Sequence, residues 1–526
     1  MQTRVLLVLL LIGLTACTSN NPTQVPTPSS TETTNLFVEP TIAALDVTAP
    51  APEGSDPSYK VAAFYYPWYG NPTIDGKWIH WTQNNHLPPE DIAADYYPAL
   101  GAYSSNDPAV IAQHMEWLRQ AGIGVIISSW WGQGSREDRA VPLLLQTAEH
   151  YGIKVAFHIE PYRERTAESL VSDIQYLYQQ YGNSPAFFRS TETSRYSPST
   201  LPKGMFFVWS IGVQGAENNP VEANYWRQAM DSIHALPEGA LIIANILQGD
   251  WIAGGHVDGL YNYATLHLEE NGGFDWARSL PPDALYVPSV IPGFSAKRVG
   301  YAERTFVPRE EGATYSAQWT SALSVGIQPA LVTITSFNEW HEGSIIEPPQ
   351  FGINNGSGYT YTDFGTLPGE GYLDLTREWV NKYLAMKWPS TYRARFKITT
   401  TSDWTTLDVV NGGAWNQPQQ VIVSPSATTA GMEAGDRFVL RQSLADAKAG
   451  KEVEMTWDVL STNLVPGENL ILQIDRGHIG MTQVVIYNYT GSEPVEVKRF
   501  ELDKVTMGRN SYQIIIPSNL LIGSSL

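Results

Sequence analysis

The sequence predicts a (β/α)₈ TIM-type barrel followed by a smaller C-terminal β-sandwich, and three observations predict it. Between Tyr59 and about Trp388, eight short apolar runs alternate with amphipathic stretches, as strands alternate with helices in such a barrel. Aromatic, carboxylate and amide residues collect at the C-terminal ends of those runs, while their beginnings offer mostly Val, Ala, Leu and Lys. Beyond Pro389 the texture changes to alternating β segments separated by Gly, Pro, Asn and Asp.

The runs are Val61–Tyr66, Gly124–Ser129, Lys154–Ile159, Met205–Trp209, Leu241–Ile246, Gly259–Tyr263, Leu285–Ile291 and Leu331–Phe337. Helical patterns occupy Pro108–Ala121, Val141–Tyr151, Glu168–Tyr181, Tyr225–Leu236 and Thr314–Val325. Asn106-Asp107-Pro108 supplies a cap and a proline at the first helical position, and Gly122 and Gly152 close the first two helices. The sixth unit is the least marked, with a short strand and a weak helix near Phe274–Ser279.

The ends of the chain read differently. Residues 1–17 form a signal segment: Arg4, an apolar run from Val5 to Leu14 too short to span a bilayer, and then Leu14-Thr15-Ala16-Cys17. That tetrad resembles the lipobox of bacterial lipoproteins, in which Cys17 is acylated after cleavage. An ordinary secretory signal is the plainer alternative. Cys17 is the single cysteine, so neither a disulfide framework nor a cysteine metal site is available. Residues 18–58, rich in Pro, Thr, Ser and Asn, read as a disordered tether. The barrel then takes 59–390 and the β domain 391–526. The expected location is outside the cytoplasm, on the bacterial cell envelope, held to the membrane through the lipid alone.

A formal net charge of −20 argues against a nucleic-acid partner. Of the 17 Trp, 14 lie at or before Trp388, which puts the aromatic surface suited to stacking on sugar rings in the barrel. In the β domain Trp404 and Trp415 are available for carbohydrate, and a structural spacer is the alternative reading.

The eighth run is the one on which the others converge: LVTITSFNEWHEGSIIE, Leu331 to Glu347. Val332, Thr333, Ile334 and Thr335 make a strand, and Asn338, Glu339, His341 and Glu342 then crowd around Phe337 and Trp340. In a continuing strand Glu339 and Glu342 would face opposite ways. If the chain turns helically past Phe337 they become neighbours, with Cβ atoms about 5–6 Å apart. Two carboxyls at about 5–5.5 Å suit retaining glycoside hydrolysis. The plainer reading is a polar loop with both acids solvated. No GxxxxGK[ST], GxGxxG or GxSxG motif is present, and the His/Glu groups lack HExxH spacing, so no cofactor and no metal is expected.

Several segments in order then carry a resemblance: Phe64-Tyr65-Tyr66-Pro67-Trp68-Tyr69-Gly70, Asp75-Gly76-Lys77-Trp78, His80-Trp81, Tyr103-Ser104-Ser105-Asn106-Asp107-Pro108, His158-Ile159-Glu160-Pro161-Tyr162, Pro288–Gly293, Ser336–Gly343 and Tyr372–Trp379. Together these resemble glycoside hydrolase family 99, the endo-α-1,2-mannosidases and endo-α-1,2-mannanases, from about Val61 to Tyr383. The resemblance implies a metal-free barrel that cleaves α-mannosides with retention, in α-mannan or mannose-rich oligosaccharides. It places the two catalytic carboxyls on Glu339 and Glu342. The sugar-binding pocket would take Tyr66, His80, Trp81, Trp131, Glu160, Tyr162, Tyr263, Arg298 and Asn338. It also implies that the substrate 2-hydroxyl, deprotonated by Glu339, attacks C1 while Glu342 protonates the leaving oxygen. The sugar beyond the cleaved mannose is glucose or mannose, and paired Trp130-Trp131 with a bacterial source leans toward mannose. The competing class is a surface glycan-binding lipoprotein without catalysis.

Overall fold

The computed structural model describes residues 56–388, apart from 215–218, 269–272, 282–283, 301–305, 326 and 387, and beyond 390 only strand segments. The signal segment with Cys17, nearly all of the tether, and Trp404 and Trp415 lie outside the described residues.

The strands of the barrel are β1 (Ser58–Tyr65), β2 (Ile123–Trp130), β3 (Lys154–Ile159), β4 (Lys203–Val208), β5 (Ala240–Asn245), β6 (Gly259–Tyr261), β7 (Leu285–Val287), β8 (Ser289–Val290) and β9 (Val332–Ile334). Each pairs in parallel with its neighbours, in the order β7-β6-β5-β4-β3-β2-β1-β9-β8. The apolar run Leu285–Ile291 accounts for both ends of that order. Pro288 has no N–H to give a ladder and divides the run: β7 pairs with β6, and β8 pairs with β9. The hydrogen-bonded circuit thus closes through the two halves of one strand. The Pro288 carbonyl still accepts from the Thr333 N–H at 2.8 Å.

The long helices are α1 (Pro108–Gln120), α2 (Arg136–His150), α3 (Ala167–Tyr181), α4 (Asn224–His234), α5 (Ala313–Leu323) and α6 (Gly371–Ala385). Asp107 caps α1 by accepting from the Ala109 N–H at 2.9 Å, with Pro108 at the first helical position. The second helix starts five residues before the Val141 expected from periodicity, because Ser135 caps it and Glu137 and Asp138 load its first turn. Pro142 sits inside it. The carbonyl that Pro142 leaves without an N–H is that of Asp138, and the Tyr181 hydroxyl donates to it at 3.1 Å. Among the described residues the sixth unit has a 3₁₀ segment, Asp275–Ser279, in place of a long helix.

Covered on both faces, β2 is buried along its whole length. Inside the barrel Phe64, His158, Phe207 and Tyr261 form one aromatic layer, with Phe64 to His158 at 4.8 Å and Phe207 to Tyr261 at 5.5 Å between centroids. That packed floor lies beneath the rim that carries the polar cluster, and Phe64 touches it through the Tyr263 ring at 5.0 Å.

Beyond the barrel, Thr391–Thr400, Glu452–Leu460, Ile479–Asn488 and Val495–Thr506 form a four-stranded antiparallel sheet. Ile422–Pro425, Asn469–Ile474 and Tyr512–Pro517 form a three-stranded one.

Candidate active site

After β9 the chain leaves the ladder and forms a loop whose neck is tied by its own backbone. Ser336 N–H donates to the Ser344 carbonyl at 2.7 Å, Ile346 N–H to Ser336 at 3.0 Å, and Glu347 N–H to Phe337 at 2.9 Å. The chain does not turn into a helix past Phe337. It makes one tight turn, closed by Gly343 N–H on the Trp340 carbonyl at 3.2 Å. Gly343 has φ +57°, and a Cβ there would lie 2.6 Å from the Ser295 carbonyl oxygen, so only glycine fits. Asn338 ties the loop to the end of β1: its side-chain oxygen accepts from Tyr66 N–H at 2.7 Å and its amide donates to the Tyr66 carbonyl at 3.1 Å.

Glu339 is 3% exposed, whereas Glu342 is half-buried. The Glu339 carboxyl accepts from the His341 N–H at 3.1 Å. Tyr263 O–H donates to Glu342 at 3.4 Å, and the Tyr263 and Tyr66 hydroxyls bond to each other. A third acid, Glu160, 5% exposed, accepts from Ser129 O–H at 2.8 Å and lies 3.0 Å from His158 Nδ1. Ser129 in turn accepts from the Trp131 indole N–H at 3.1 Å.

Electrostatics follow from this packing. Burial pushes the Glu339 carboxyl well above the usual range, and the neighbouring Glu342 charge adds to it. Burial pushes Glu342 up to about 7; the Tyr263 hydrogen bond opposes that and the Glu160 charge reinforces it. Burial also holds His341 down to about 4 and His80 down to about 3, so neither supplies a cation near neutral pH. Among the described residues, neither Glu339 nor Glu342 has a Lys or Arg partner within ion-pair distance. Around neutrality the pair therefore holds a proton instead of borrowing a counter-charge, which equips it for proton transfer.

The structure brings together Glu339, Glu342, Tyr66, Tyr263 and Glu160, with Trp131 joined through Ser129. His80 stacks on Trp68 at 4.7 Å, and its carbonyl accepts from His341 Nε2 at 3.0 Å. Four expectations need correction. Trp81 is 0% exposed, donates to the Tyr103 carbonyl at 2.8 Å and stacks on Tyr69 at 4.1 Å, so it supports the wall from behind and cannot touch a sugar. Asn338, also 0% exposed, spends its amide on the Tyr66 backbone. Arg298 belongs to a separate cluster: it pairs with Asp91, donates to the Ile92 carbonyl at 2.9 Å and lies over the Tyr359 ring at 4.1 Å. Finally, Trp130 and Trp131 do not act as a pair. Successive strand residues point opposite ways, and Trp130, fully buried, donates to Asp138 at 2.8 Å. Tyr162 stands at the edge, bonded to Asp173 and, at 2.9 Å, to Ser169, with its ring against Gly132. Sequence reasoning missed Ser129 and Tyr69. Ser129 is one small residue inside an apolar run, and nothing local distinguishes it. Tyr69, whose hydroxyl accepts from the Trp340 N–H at 3.0 Å, lies in a segment already noted for its aromatics.

With that geometry in view, comparisons with known proteins agree on one family. The model of Glycosyl hydrolase family 99 matches residues 57–385. Glycoprotein endo-alpha-1,2-mannosidase of Mus musculus is 33% identical over 371 residues, covering 62% of this chain and 75% of that one. The Xenopus laevis protein of the same name is 34% identical over 367 residues, covering 63% and 78%. The solved GH99 endo-alpha-mannosidase from Bacteroides thetaiotaomicron is similar with a TM-score of 0.54 and 30% identity, over 62% of this chain and 98% of that one.

Proposed function

The chain belongs to glycosyl hydrolase family 99 and is a glycoside hydrolase, and from that premise we propose that it is a retaining, endo-acting α-1,2-mannosidase using Glu339 as base and Glu342 as acid. One observation carries the placing of the chemistry on this pair: two carboxyls on one tied loop, Glu339 buried and Glu342 half-buried, both raised above their ordinary range, with a tyrosine hydroxyl on Glu342 and no Lys or Arg partner for either among the described residues. Which of them is the base and which the acid follows the family resemblance. The relatives named endo-alpha-1,2-mannosidase supply the linkage.

In an α-mannoside the leaving group on C1 and the 2-hydroxyl are both axial and on opposite faces. Glu339 takes the 2-hydroxyl proton, O2 attacks C1 from behind, and the C1–O bond breaks as Glu342 gives its proton to the departing oxygen. Water then attacks C1 of the 1,2-anhydro sugar, losing a proton to Glu342, as the C1–O2 bond breaks and Glu339 returns its proton to O2. Two inversions give net retention. Direct attack of Glu339 on C1 predicts the same anomer, so the discriminating substrate lacks the 2-hydroxyl.

Tyr66, Tyr263, Glu160 and Trp131 are read as the sugar-binding wall, with His80 and Tyr162 beside it, on α-mannan or a mannose-rich oligosaccharide. The two antiparallel sheets beyond Thr391 are read as a β-sandwich, and the chain as an exported lipoprotein anchored through Cys17. Digestion of defined α-1,2-mannan oligosaccharides beside glucosylated high-mannose glycans tests the reading. Internal cleavage giving an initial α-anomer is expected. An initial β-anomer, or no cleavage of either series, sinks it. Replacement of the 2-hydroxyl by hydrogen or fluorine should abolish turnover while leaving binding, and a glycosyl ester trapped on Glu339 would overturn participation.

A further inference from the structure

The loop that carries the two carboxyls is held by a buried acid that takes no part in the proposed chemistry. Glu347, at the neck of the loop, is 0% exposed, and so is His114 on α1. One Glu347 oxygen lies 3.1 Å from His114 Nε2; the other accepts from the Trp340 indole N–H and the Tyr103 hydroxyl, each at 2.9 Å. With the His114 hydrogen on Nε2, its Nδ1 is left to accept from the Tyr65 hydroxyl at 3.0 Å. Trp340 is fixed at its other end too, where its backbone N–H donates to Tyr69. It is flanked directly by Glu339 and His341, and Glu342 follows two residues on.

Backbone bonds close the neck of this loop, and its tip is held from outside by Tyr69 on the Trp340 N–H, by the Ser295 N–H on the Glu342 carbonyl at 2.8 Å and by Arg309 on the Gly343 carbonyl at 2.8 Å. The contact from the Trp340 indole at the tip to Glu347 at the base adds a tie through the interior, which fixes the indole that stands between the two acids. Stability alone is a poor reason for such a residue, since a buried polar cluster is commonly matched or bettered by apolar residues of similar volume. Geometry is a better one. A carboxylate offers two oxygens and accepts from donors on both sides, here from the loop tip, from the segment before α1 and from α1 itself.

We infer that Glu347 is a positioning residue: it clamps the Trp340 indole to the outer helix α1 and thereby sets Glu339 against Glu342. The inference rests on the roles proposed above for those two acids. Glu347 reaches them through Trp340, and its effect should appear in the chemical step more than in substrate binding.

The test compares the full chain with Glu347→Gln, Trp340→Phe and the double variant. The amide keeps the shape of Glu347 but replaces one accepting oxygen by a donor, and the phenylalanine removes the indole N–H. Each single variant should lower kcat by about 10- to 100-fold with KM within about threefold, as expected for a small displacement of reacting groups. The losses should not multiply in the double variant, because both remove one contact. A ¹³C NMR titration of labelled glutamate should show the Glu342 midpoint falling toward the ordinary carboxyl range as the loop relaxes.

A folded Glu347→Gln with unchanged kcat and unchanged midpoint overturns the inference. So does a variant that only melts earlier, with full turnover per folded molecule. If Glu347→Gln does not fold, Trp340→Phe must show the same pattern, and its failure to do so is equally decisive. The two proposals fail separately: a wild-type chain inactive on α-mannosides removes the functional reading, while the titration still decides whether Glu347 holds the pair.

Discussion

Two sets of acids occupy the same end of the barrel and are treated in opposite ways. Asp91, in the segment between β1 and α1, sits against Arg298, His86 and Asn355. Burial pushes its carboxyl up, but hydrogen bonds from Asn355, His86 and the Leu87 N–H outweigh that and bring it down to about 2. Glu342, on the loop after β9, has a single tyrosine hydroxyl and two other acids for company, and burial carries it up to about 7. The difference lies in the partners. An acid with a cation and several N–H donors is a brace that fastens one loop to another. An acid left among acids and hydroxyls keeps a proton that it can pass on. The same contrast explains why Arg298, read from sequence as part of the sugar pocket, is engaged elsewhere: its guanidinium is taken up by Asp91, the Ile92 carbonyl and two tyrosine rings.

The comparison breaks first, and most visibly, at Glu342. Glu342→Gln should lower kcat/KM on a natural α-mannoside by about 10²–10⁴, the usual contribution of a general acid, and spare aryl or fluoride mannosides that need no protonation. Steady-state kinetics on both substrate types checks it, and equal losses would remove Glu342 from the acid role. In the proposed role Glu342 acts as acid only while protonated, so wild-type kcat/KM should fall as pH rises through about 7.

Asp91→Asn should do the reverse: leave kcat near that of the wild type and cost about 2 kcal/mol of stability at neutral pH. The folded value of Asp91 is depressed, so its contribution is present above the ordinary aspartate range and disappears as pH falls toward about 2. Glu342 has a raised folded value, so wild-type stability should decline between the ordinary glutamate range and about pH 7, and Glu342→Gln should remove that decline. Melting temperatures across pH read both variants, and slopes of the same sign would dissolve the distinction.

A smaller effect is expected at Tyr263. Its hydrogen bond holds the Glu342 value down, so Tyr263→Phe should move the alkaline limb of the pH–rate profile upward, alongside a modest fall in kcat. A limb that moves downward would mean that the hydroxyl does not stabilise the ionised carboxyl. Cys17→Ala should leave the kinetic constants untouched and change only the partition between membrane and soluble fractions, read by detergent phase separation.

The barrel was legible because its signals are local and repeated. The 2-residue and 3.6-residue periodicities, Asp107-Pro108 at one helix start and glycines at helix ends are properties of neighbouring residues, and most strands and helices fall within a few positions of where those signals put them. The place of Glu339 and Glu342 at the rim, as a candidate pair, was legible for the same reason, as acids and aromatics massed just past a β-branched run. What the sequence could not determine was which side chains meet. Trp81 carries the composition of a sugar platform yet is sealed behind Tyr69, and Arg298 is spoken for by Asp91, more than 200 residues away in the chain. Ser129 gains its part only because β2 and β3 pair in a register that sets it beside His158, two residues before Glu160. The tertiary structure decided those matters, because burial and hydrogen bonding depend on contacts between distant segments, and the same residue type becomes a brace, a wall or a proton carrier according to what the fold places beside it.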